Sequence, residues 1–281
     1  MSAQILDGRS MASTIRTELR QQITAITTVR GYAPTLAVVQ VLGDAASDRY
    51  VKNIRKMGTE AGALVHLHTL PPTTDQATLE ATITQLSNDR LVDGIILQLP
   101  LPAPLVAEAA IAQIDPRKDV DGVTAQSAGF LVLGQPGLRP NTPAGGMELL
   151  KRYDIPLKGR HAVVVGRSAI VGKPMALMLL EAHATVTIAH SRTADLVATL
   201  RGAEIIAAAV GQPGLIRAEM LRPDAVVIDF GINVLADGKV VGDVEAAASE
   251  VVAAITPVPG GTGPMTNAML LRNLVQAASR R

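Results

Sequence analysis

The sequence predicts an α/β protein composed of two domains. Apolar runs of strand length alternate with segments of helical periodicity along the chain, as is typical of this fold class. The 281 residues, 48% of them hydrophobic, are enough for one large or two moderate cores. A stretch richer in glycine and proline, residues 115–142, is expected to connect the two domains.

The first half of the chain alternates predicted helices with predicted strands. Helices are expected at residues 10–30, 47–61 and 74–88, and strands at residues 35–42, 64–70 and 94–98. We expect Thr73 or Thr74 to cap the third helix, because a threonine hydroxyl accepts hydrogen bonds from the N–H groups of a first turn. Pro100, Pro102 and Pro104 end the third strand, since proline cannot donate to a sheet.

The second half repeats this alternation with closer spacing. Strands are expected at residues 162–165, 184–189, 205–210 and 225–229, and helices at residues 173–182, 193–200 and 265–280. The last helix is long enough to pack against the first domain. We therefore expect a first domain of residues 1–139 with the C-terminal helix 264–281, and a second domain of residues 140–263.

The composition excludes several classes of protein. The net charge is +1, from 26 basic and 25 acidic residues, and only 2% of residues are aromatic, so no nucleic-acid partner is predicted. Cysteine is absent, which excludes disulfides, thiolate metal ligands and a cysteine nucleophile. The N-terminus lacks a signal-peptide pattern, and no apolar run approaches the ~20 residues that cross a bilayer. We therefore expect a cytoplasmic protein without a membrane partner.

Two histidines form the only pattern that suggests a metal ligand pair. His66 and His68 lie two residues apart on a predicted strand, and so on the same face. No third ligand is evident in the sequence, so no metal site is predicted.

A glycine-bearing turn follows the strand at residues 162–165. Gly166, Arg167 and Ser168 begin a turn that leads into the next helix, where backbone N–H groups at a helix N-terminus can bind a phosphate. The spacing does not match the GxGxxG pattern of dinucleotide-binding sites. An ordinary strand–helix connection therefore stays open as an alternative for this turn.

The end of the next strand indicates which dinucleotide would bind. NAD-specific sites place an acidic residue at this point to bind the ribose 2′-hydroxyl, whereas this chain has Ser191, Arg192 and Thr193. A cation and hydroxyls suit a 2′-phosphate, although a solvated turn would have the same composition. Together the two turns predict a Rossmann-type domain that binds NADP. Loops at residues 211–214 and 229–233 also follow predicted strands and extend this site.

Motifs along the chain resemble those of the bifunctional methylenetetrahydrofolate dehydrogenase/methenyltetrahydrofolate cyclohydrolase family. The matching segments are residues 50–51, 98–102, 118–122, 166–174, 190–193, 211–214, 231–233, 241–244 and 256–266. Each motif is modest by itself, but the set covers essentially the whole chain in the expected order.

The resemblance implies a folate cleft between the two domains, a tetrahydrofolate one-carbon derivative as substrate, and a homodimer. Tyr50 would stack on the flat part of the folate, Gln98 would place polar groups near the reacting carbon, and Asp121 would accept two hydrogen bonds from the pterin. The further substrate-binding residues that it implies are Leu99, Pro100, Pro259, Gly260 and Gly261. The further cofactor-binding residues that it implies are Gly211 and Ile232. Without the resemblance, Tyr50 would be read as a core-edge residue and Asp121 as a turn residue.

One position departs from the family pattern. The family has lysine four residues after the tyrosine, and this chain has Ile54. Residues 50 and 54 share a helical face, whereas Lys52 and Lys56 are turned about 200° from position 54. Arg55 is nearer in angle, but arginine stays protonated and cannot act as a base.

The departure separates the two activities of the family. Hydride transfer depends mainly on orientation of the reactants, which can supply ~7–11 kcal/mol without the lysine. Hydrolysis of the methenyl group needs proton transfers, and loss of a general acid/base costs ~10²–10⁴-fold. The sequence therefore predicts an NADP-dependent dehydrogenase with weak or absent cyclohydrolase activity. A fully bifunctional enzyme, a non-catalytic folate- or NADP-binding paralogue, and a dehydrogenase for another one-carbon carrier stay open.

Overall fold

The computed structural model describes residues 3–280, without the side chains of Ala45 and Ala46. Met1, Ser2 and Arg281, which the predicted domain bounds include, lie outside the described residues. The chain divides into two compact units. The six-stranded unit contains Pro140–Met269 and the residues up to Ser13, and the three-stranded unit contains Thr14–Arg139 and the residues from Leu270 onward.

Strands and helices alternate along the described chain. In order they are β1 (Gln4–Ile5), α1 (Gly8–Arg30), β2 (Thr35–Val41), α2 (Ala45–Glu60), β3 (Leu64–Leu70), α3 (Gln76–Asn88), β4 (Gly94–Leu97), α4 (Ala107–Ile111), α5 (Ala125–Val132), α6 (Asn141–Arg152), β5 (His161–Val165), α7 (Gly172–Glu181), β6 (Thr185–Ala189), α8 (Leu196–Arg201), β7 (Ile205–Ala208), β8 (Val226–Asp229), β9 (Asn233–Val234), β10 (Val240–Val241), β11 (Ala254–Ile255) and α9 (Thr262–Ser279). Two short 3₁₀ helices lie at Ala218–Met220 and Ala246–Glu250. The predicted α/β class, with two α/β halves, is confirmed.

The three-stranded unit is built on a parallel sheet with the strand order β3-β2-β4. Every residue of the central strand β2 is buried, which explains why its sequence is a nearly continuous apolar run. After β4 the chain returns alongside the same strand, because Ile95 N–H donates to the Lys118 carbonyl over 2.8 Å. The sheet therefore brings residues 98 and 118–122 to one region of this unit.

The six-stranded unit is built on a parallel sheet with the order β1-β11-β8-β7-β5-β6. Both faces of this sheet are buried, since Val163 and Val165 belong to one apolar cluster and Ala162 and Val164 to another. Counted from β5, the first five strands have the doubly wound order 2-1-3-4-5. The order reverses between β5 and β7, and open α/β sheets bind ligands at the carboxyl ends of strands beside such a reversal.

Several local predictions were wrong. Helix α3 begins at Gln76, and its N-cap is Asp75, whose carboxylate accepts from Thr78 N–H over 2.8 Å, rather than Thr73 or Thr74. A carboxylate is as good a cap as a hydroxyl and carries a negative charge at the positive end of the helix. The stretch 115–142, predicted only as a connection, contains α5 and the start of α6.

Membrane-spanning helices and metal-binding clusters are both absent from the described residues. No helix between residues 3 and 280 is long and apolar enough to cross a membrane. Within the same part of the chain, no group of three or more histidine, aspartate or glutamate side chains could hold a metal ion.

Candidate active site

Helix α2 carries the first of the predicted substrate residues. The Asp44 carboxylate caps this helix, accepting from Ser47 N–H at 2.8 Å and from Ser47 Oγ at 2.7 Å. Tyr50 follows one turn later and is 38% exposed, whereas Ile54 is completely buried. The two side chains lie on the same face of α2, one at the surface of the unit and one in its core.

Gln98 follows β4 directly and is held beside the start of α2. Its Nε2 donates to the Leu99 carbonyl at 2.5 Å and to Ser47 Oγ at 3.3 Å, and its side chain is buried. Leu99 is 41% exposed, and the Leu99–Pro100 peptide bond is cis. The loop after β4 and the N-terminus of α2 therefore form one hydrogen-bonded region in the three-stranded unit.

Asp121 lies close enough to Tyr50 for its charge to act on the phenol. Burial raises the pKa of Tyr50, and the negative charge of Asp121 raises it further, to about 12. Tyr50 is therefore a neutral hydrogen-bond donor across the physiological pH range. The structure brings Tyr50 and Asp121 together, and Ser47 connects the same helix to Gln98.

The other aspartate of the Asp-Val-Asp-Gly motif has a structural role. Asp119 is completely buried and accepts from Thr124 N–H at 2.8 Å, Ser127 Oγ at 2.7 Å and Val123 N–H at 3.1 Å. These bonds fix the start of α5, so Asp119 holds the turn from which Asp121 projects.

The two lysines near position 54 do not share the buried face of α2 that carries Ile54. Lys52 is exposed. The side chain of Lys56 is 74% exposed, and its Nζ lies 3.9 Å from Glu60 Oε1. Ile54 therefore occupies the buried position between them, as the helical periodicity predicts.

A second region of interest lies at the carboxyl ends of β5, β6 and β7 in the six-stranded unit. A cavity of about 490 Å³ is lined there by Gly166, Arg167, Ser168, Ser191 and Thr193, among other residues. Two further predicted cofactor residues, Arg192 and Gly211, are chain neighbours of lining residues but do not line the cavity themselves. Five of the eight predicted cofactor residues are therefore brought together at the reversal of strand order.

Close backbone contacts explain the glycines of the turn after β5. Gly166 has φ +125°, and a Cβ there would overlap the Ala209 carbonyl. A Cβ on Gly172, at the start of α7, would overlap the Gly166 carbonyl. Ser168 Oγ accepts from Val171 and Gly172 N–H, both at 3.2 Å, which closes the turn.

The turn after β6 is closed by its own side chains. Thr193 Oγ1 accepts from His190 N–H at 2.8 Å, and Arg192 N–H donates to His190 Nδ1 at 3.1 Å. The backbone of Arg192 is fixed in this way, whereas its side chain is exposed. A guanidinium at this point is available to an anionic group at the rim of the cavity.

Two buried carboxylates, to which the sequence assigned no individual role, hold the loops around this cavity. Asp243 accepts from Val210, Gly211 and Gln212 N–H at 2.7–3.0 Å and from Asn233 Nδ2 at 3.0 Å. It lies in a matching segment, residues 241–244, but that match alone gave it no role.

The second carboxylate is Asp229, at the end of β8. It accepts from Gly231, Asp243 and Val244 N–H at 2.7–3.1 Å. Burial raises the pKa of Asp229, and the nearby Asp243 charge raises it further, against its backbone hydrogen bonds, to about 6. The two carboxylates therefore join the loops after β7, β8 and β10.

The remaining predicted residues lie around a third region, which we call the glycine loop, residues 257–264. A cavity of about 170 Å³ beside it is lined by Ile232, Pro259, Gly260 and Gly261, among others. Gly260 has φ +117°, a backbone conformation that favours glycine. Ile232, predicted for the cofactor, thus lies with the glycine-loop residues predicted for the substrate.

Comparisons with known proteins identify the family. The sequence model of the tetrahydrofolate dehydrogenase/cyclohydrolase catalytic domain matches residues 6–121. The model of the NAD(P)-binding domain of the same family matches residues 140–281. The chain belongs to the tetrahydrofolate dehydrogenase/cyclohydrolase family. Tyr50, Ile54, Gln98 and Asp121 lie in the part that matches its catalytic domain, and the 490 Å³ cavity lies in the part that matches its NAD(P)-binding domain.

Relatives within this family match over their full lengths. The chain is 61% identical over 282 residues to the bifunctional protein FolD of Roseiflexus sp. strain RS-1, covering 100% of this chain and 98% of the relative. It is 57% identical to the bifunctional protein FolD of Chloroflexus aurantiacus, covering 100% of this chain and 99% of the relative.

Solved structures of the same family share the fold. The bifunctional methylenetetrahydrofolate dehydrogenase/cyclohydrolase of Campylobacter jejuni superposes with a TM-score of 0.97 at 42% identity, covering 100% of both chains. The dehydrogenase-cyclohydrolase of Trypanosoma brucei, solved with NADP and an inhibitor, superposes with a TM-score of 0.93 at 34% identity, covering 100% of this chain and 98% of the other.

Proposed function

We propose that this protein is an NADP-dependent 5,10-methylenetetrahydrofolate dehydrogenase whose methenyltetrahydrofolate cyclohydrolase activity is weak or absent. Family membership and the NADP complex of the Trypanosoma brucei relative support the dehydrogenase activity. The proposal that cyclohydrolase activity is weak or absent rests on Ile54. This residue is apolar, completely buried and on the same helical face as Tyr50.

The cavity at the ends of β5, β6 and β7 fits NADP. Gly166 lets a phosphate approach the backbone closely, and Arg167 adds a positive charge to the cavity wall. Ser191 and Arg192 provide a hydroxyl and a guanidinium for a 2′-phosphate, since arginine pairs with phosphate oxygens through two parallel N–H bonds. When bound, the cofactor supplies the hydride acceptor. We infer that Thr193, Gly211 and Ile232 complete its binding site.

Tyr50, Gln98 and Asp121 of the three-stranded unit are proposed as substrate-binding residues. Tyr50 presents an aromatic face that can stack on the folate, a contact of ~0.5–1.5 kcal/mol beyond area burial. Asp121 supplies the two acceptor oxygens that an amino-pyrimidine edge requires. Gln98 is positioned by Ser47 and Leu99, which limits its rotamers and leaves its Oε1 as an acceptor near the substrate. Leu99, Pro100, Pro259, Gly260 and Gly261 are proposed as further substrate contacts.

The chain lacks a proton donor or acceptor at the position where the family has lysine. Dehydrogenation requires that the two reactants be oriented, which binding residues can do without a proton transfer from position 54. Hydrolysis requires an activated water molecule and proton transfers, and the high pKa of Tyr50 keeps its phenol protonated at neutral pH, so it is not available as a base. We infer that the methenyl product leaves the protein and that a separate hydrolytic activity consumes it.

A fully bifunctional enzyme is the second candidate. It is favoured by the relatives that are 57% and 61% identical, both of which carry the name bifunctional protein FolD. We also propose that the protein acts as a homodimer, as the resemblance of its motifs to the family implies.

A paired assay on the purified protein tests the proposal. NADP reduction is followed with methylenetetrahydrofolate, and disappearance of methenyltetrahydrofolate is followed separately with and without protein. We expect NADPH formation together with methenyl hydrolysis close to the buffer rate. Rapid hydrolysis would establish the bifunctional candidate, and failure to reduce NADP would refute the dehydrogenase.

A further inference from the structure

The cavity beside the glycine loop contains a charged side chain with no assigned role. Arg9, from the first turn of α1, lines this cavity together with Ile232 and the glycine loop. The other residues that line it are glycine, proline, valine, isoleucine and threonine, so Arg9 is its one charged side chain within residues 3–280. The cavity therefore has an apolar wall with a single positive charge.

The position of Arg9 is fixed by contacts on both sides of it. Gly8 is buried against the glycine loop, and a Cβ there would overlap the Gly261 carbonyl. Asp7 Oδ1 accepts from Arg9 N–H at 2.9 Å, and Asp7 N–H in turn donates to the Tyr153 hydroxyl at 2.9 Å. The first turn of α1 is thus held directly on the loop.

The guanidinium lies across the glycine loop. A Cβ on Gly260 would lie 3.2 Å from Arg9 Nε, so the absence of a side chain at Gly260 leaves the space that Arg9 occupies. Among the ion pairs formed by the described residues, none involves Arg9. Its charge is therefore not neutralised by an acidic side chain in that part of the protein.

We propose that Arg9 is a further ligand-binding residue, which pairs with an anionic oxygen group of the ligand bound at the glycine loop. Arg9 is exposed to solvent, so its guanidinium is accessible to a ligand, and a guanidinium binds a carboxylate or phosphate through two parallel N–H bonds. This inference rests on the proposed function, which supplies two ligands with such groups. The folate tail carries carboxylates, and NADP carries phosphates.

Equilibrium binding by the full-length protein tests this role without requiring turnover. Arg9→Gln removes the charge and keeps most of the length of the side chain, and Arg9→Lys keeps the charge without the two-pronged geometry. Arg20→Gln is the matched control, because Arg20 is an exposed arginine about three turns further along the same helix that does not line this cavity. The ligands are NADPH, tetrahydrofolate, and tetrahydrofolate with both tail carboxyls esterified.

We expect Arg9→Gln to weaken binding of one ligand about tenfold, Arg9→Lys to restore part of the loss, and Arg20→Gln to have no effect. If the partner is a tail carboxylate, esterification weakens binding to the wild type but not to Arg9→Gln. If it is a phosphate, only NADPH binding falls.

Unchanged affinities for both ligands in a folded Arg9→Gln variant would overturn the role of Arg9, as would a wild type that binds neither. A wild type that binds both ligands but does not reduce NADP would instead overturn the proposed dehydrogenase, and the binding comparison would still decide the role of Arg9.

Discussion

Introducing lysine at position 54 is the most direct test of the proposed loss of cyclohydrolase activity. Side chains on a helix lean toward its N-terminus, so a lysine at position 54 would extend over the turn that carries Tyr50. Tyr50 is 38% exposed, and its pKa is raised by burial and by Asp121. An ammonium there would be near Asp121 and would lower the pKa of Tyr50 toward its ordinary value.

The structure sets both the cost and the gain of this substitution. Ile54 is completely buried, so losing its apolar contacts costs about 1.5–3 kcal/mol of folding free energy, part of which the lysine stem recovers. A positioned general acid/base contributes ~10²–10⁴-fold to a rate. We therefore expect Ile54→Lys to be less stable than the wild type and to hydrolyse methenyltetrahydrofolate at least tenfold faster.

The measurement combines three assays on one preparation. Urea denaturation gives the free energy of unfolding, NADP reduction shows that the site is intact, and the decay of methenyl absorbance gives the hydrolytic rate. Ile54→Met is the control, since methionine has a similar volume and no charge. A folded, NADP-reducing Ile54→Lys protein that hydrolyses no faster than Ile54→Met would refute the argument from position 54.

Three further predictions concern the six-stranded unit. Arg192→Ala should raise the KM for NADP about tenfold and leave the KM for NAD unchanged, because only NADP has the 2′-phosphate; steady-state kinetics with both cofactors measure this. Gly166→Ala should weaken NADPH binding at least tenfold, since the new Cβ would overlap the Ala209 carbonyl; fluorescence titration measures this. The pKa of Asp229 is raised to about 6, so its folded form holds a proton that the unfolded chain releases near pH 4. The free energy of unfolding should therefore fall by up to about 3 kcal/mol as the pH rises from 4 to 6, as measured by urea denaturation.

Each of these predictions has a matched control. Arg201→Ala removes another exposed arginine of the same unit, and an equal loss of NADP affinity would contradict the role of Arg192. Gly159→Ala also introduces a side chain at a positive φ, 78°, but without any atom within 4 Å of the new Cβ, so it shows the effect of a strained backbone in the absence of overlap. For Asp229, the Asp229→Asn variant should lose this component of the pH dependence, and an unchanged slope would show that another group titrates.

Strands were easier to predict from the sequence than some of the helices. The strand β2 is buried along its whole length, so its residues form a continuous apolar run that any reading of the sequence detects. Helix α6 begins Asn-Thr-Pro-Ala-Gly-Gly, which has low helix propensity. Its glycines are required by packing, since a Cβ on Gly146 would lie 2.5 Å from the Phe230 ring and one on Gly145 would lie 2.9 Å from Met265 Cβ. Those contacts depend on residues distant in the sequence, so local propensity could not predict the helix.

Prediction of the site from the sequence was limited in the same way, by contacts between residues that are distant along the chain. Residues 166–168 and 191–193 follow strands whose carboxyl ends meet at one edge of a sheet, so their proximity could be predicted from strand order. Strand β1 has only two residues, Gln4–Ile5, and its pairing with β11 carries no local signal in the sequence. The role of Asp243 was equally hidden, because its four hydrogen-bond donors lie between 10 and 33 residues away along the chain.

Asp243 couples the motions of loops that are separate in the sequence. Three consecutive amides after β7 and the Asn233 side chain all depend on this one carboxylate. Opening the loop would expose a buried charge to water and release all three amides at once. In native-state hydrogen exchange, the amides of Val210, Gly211 and Gln212 should therefore exchange as one cooperative unit, with similar opening free energies.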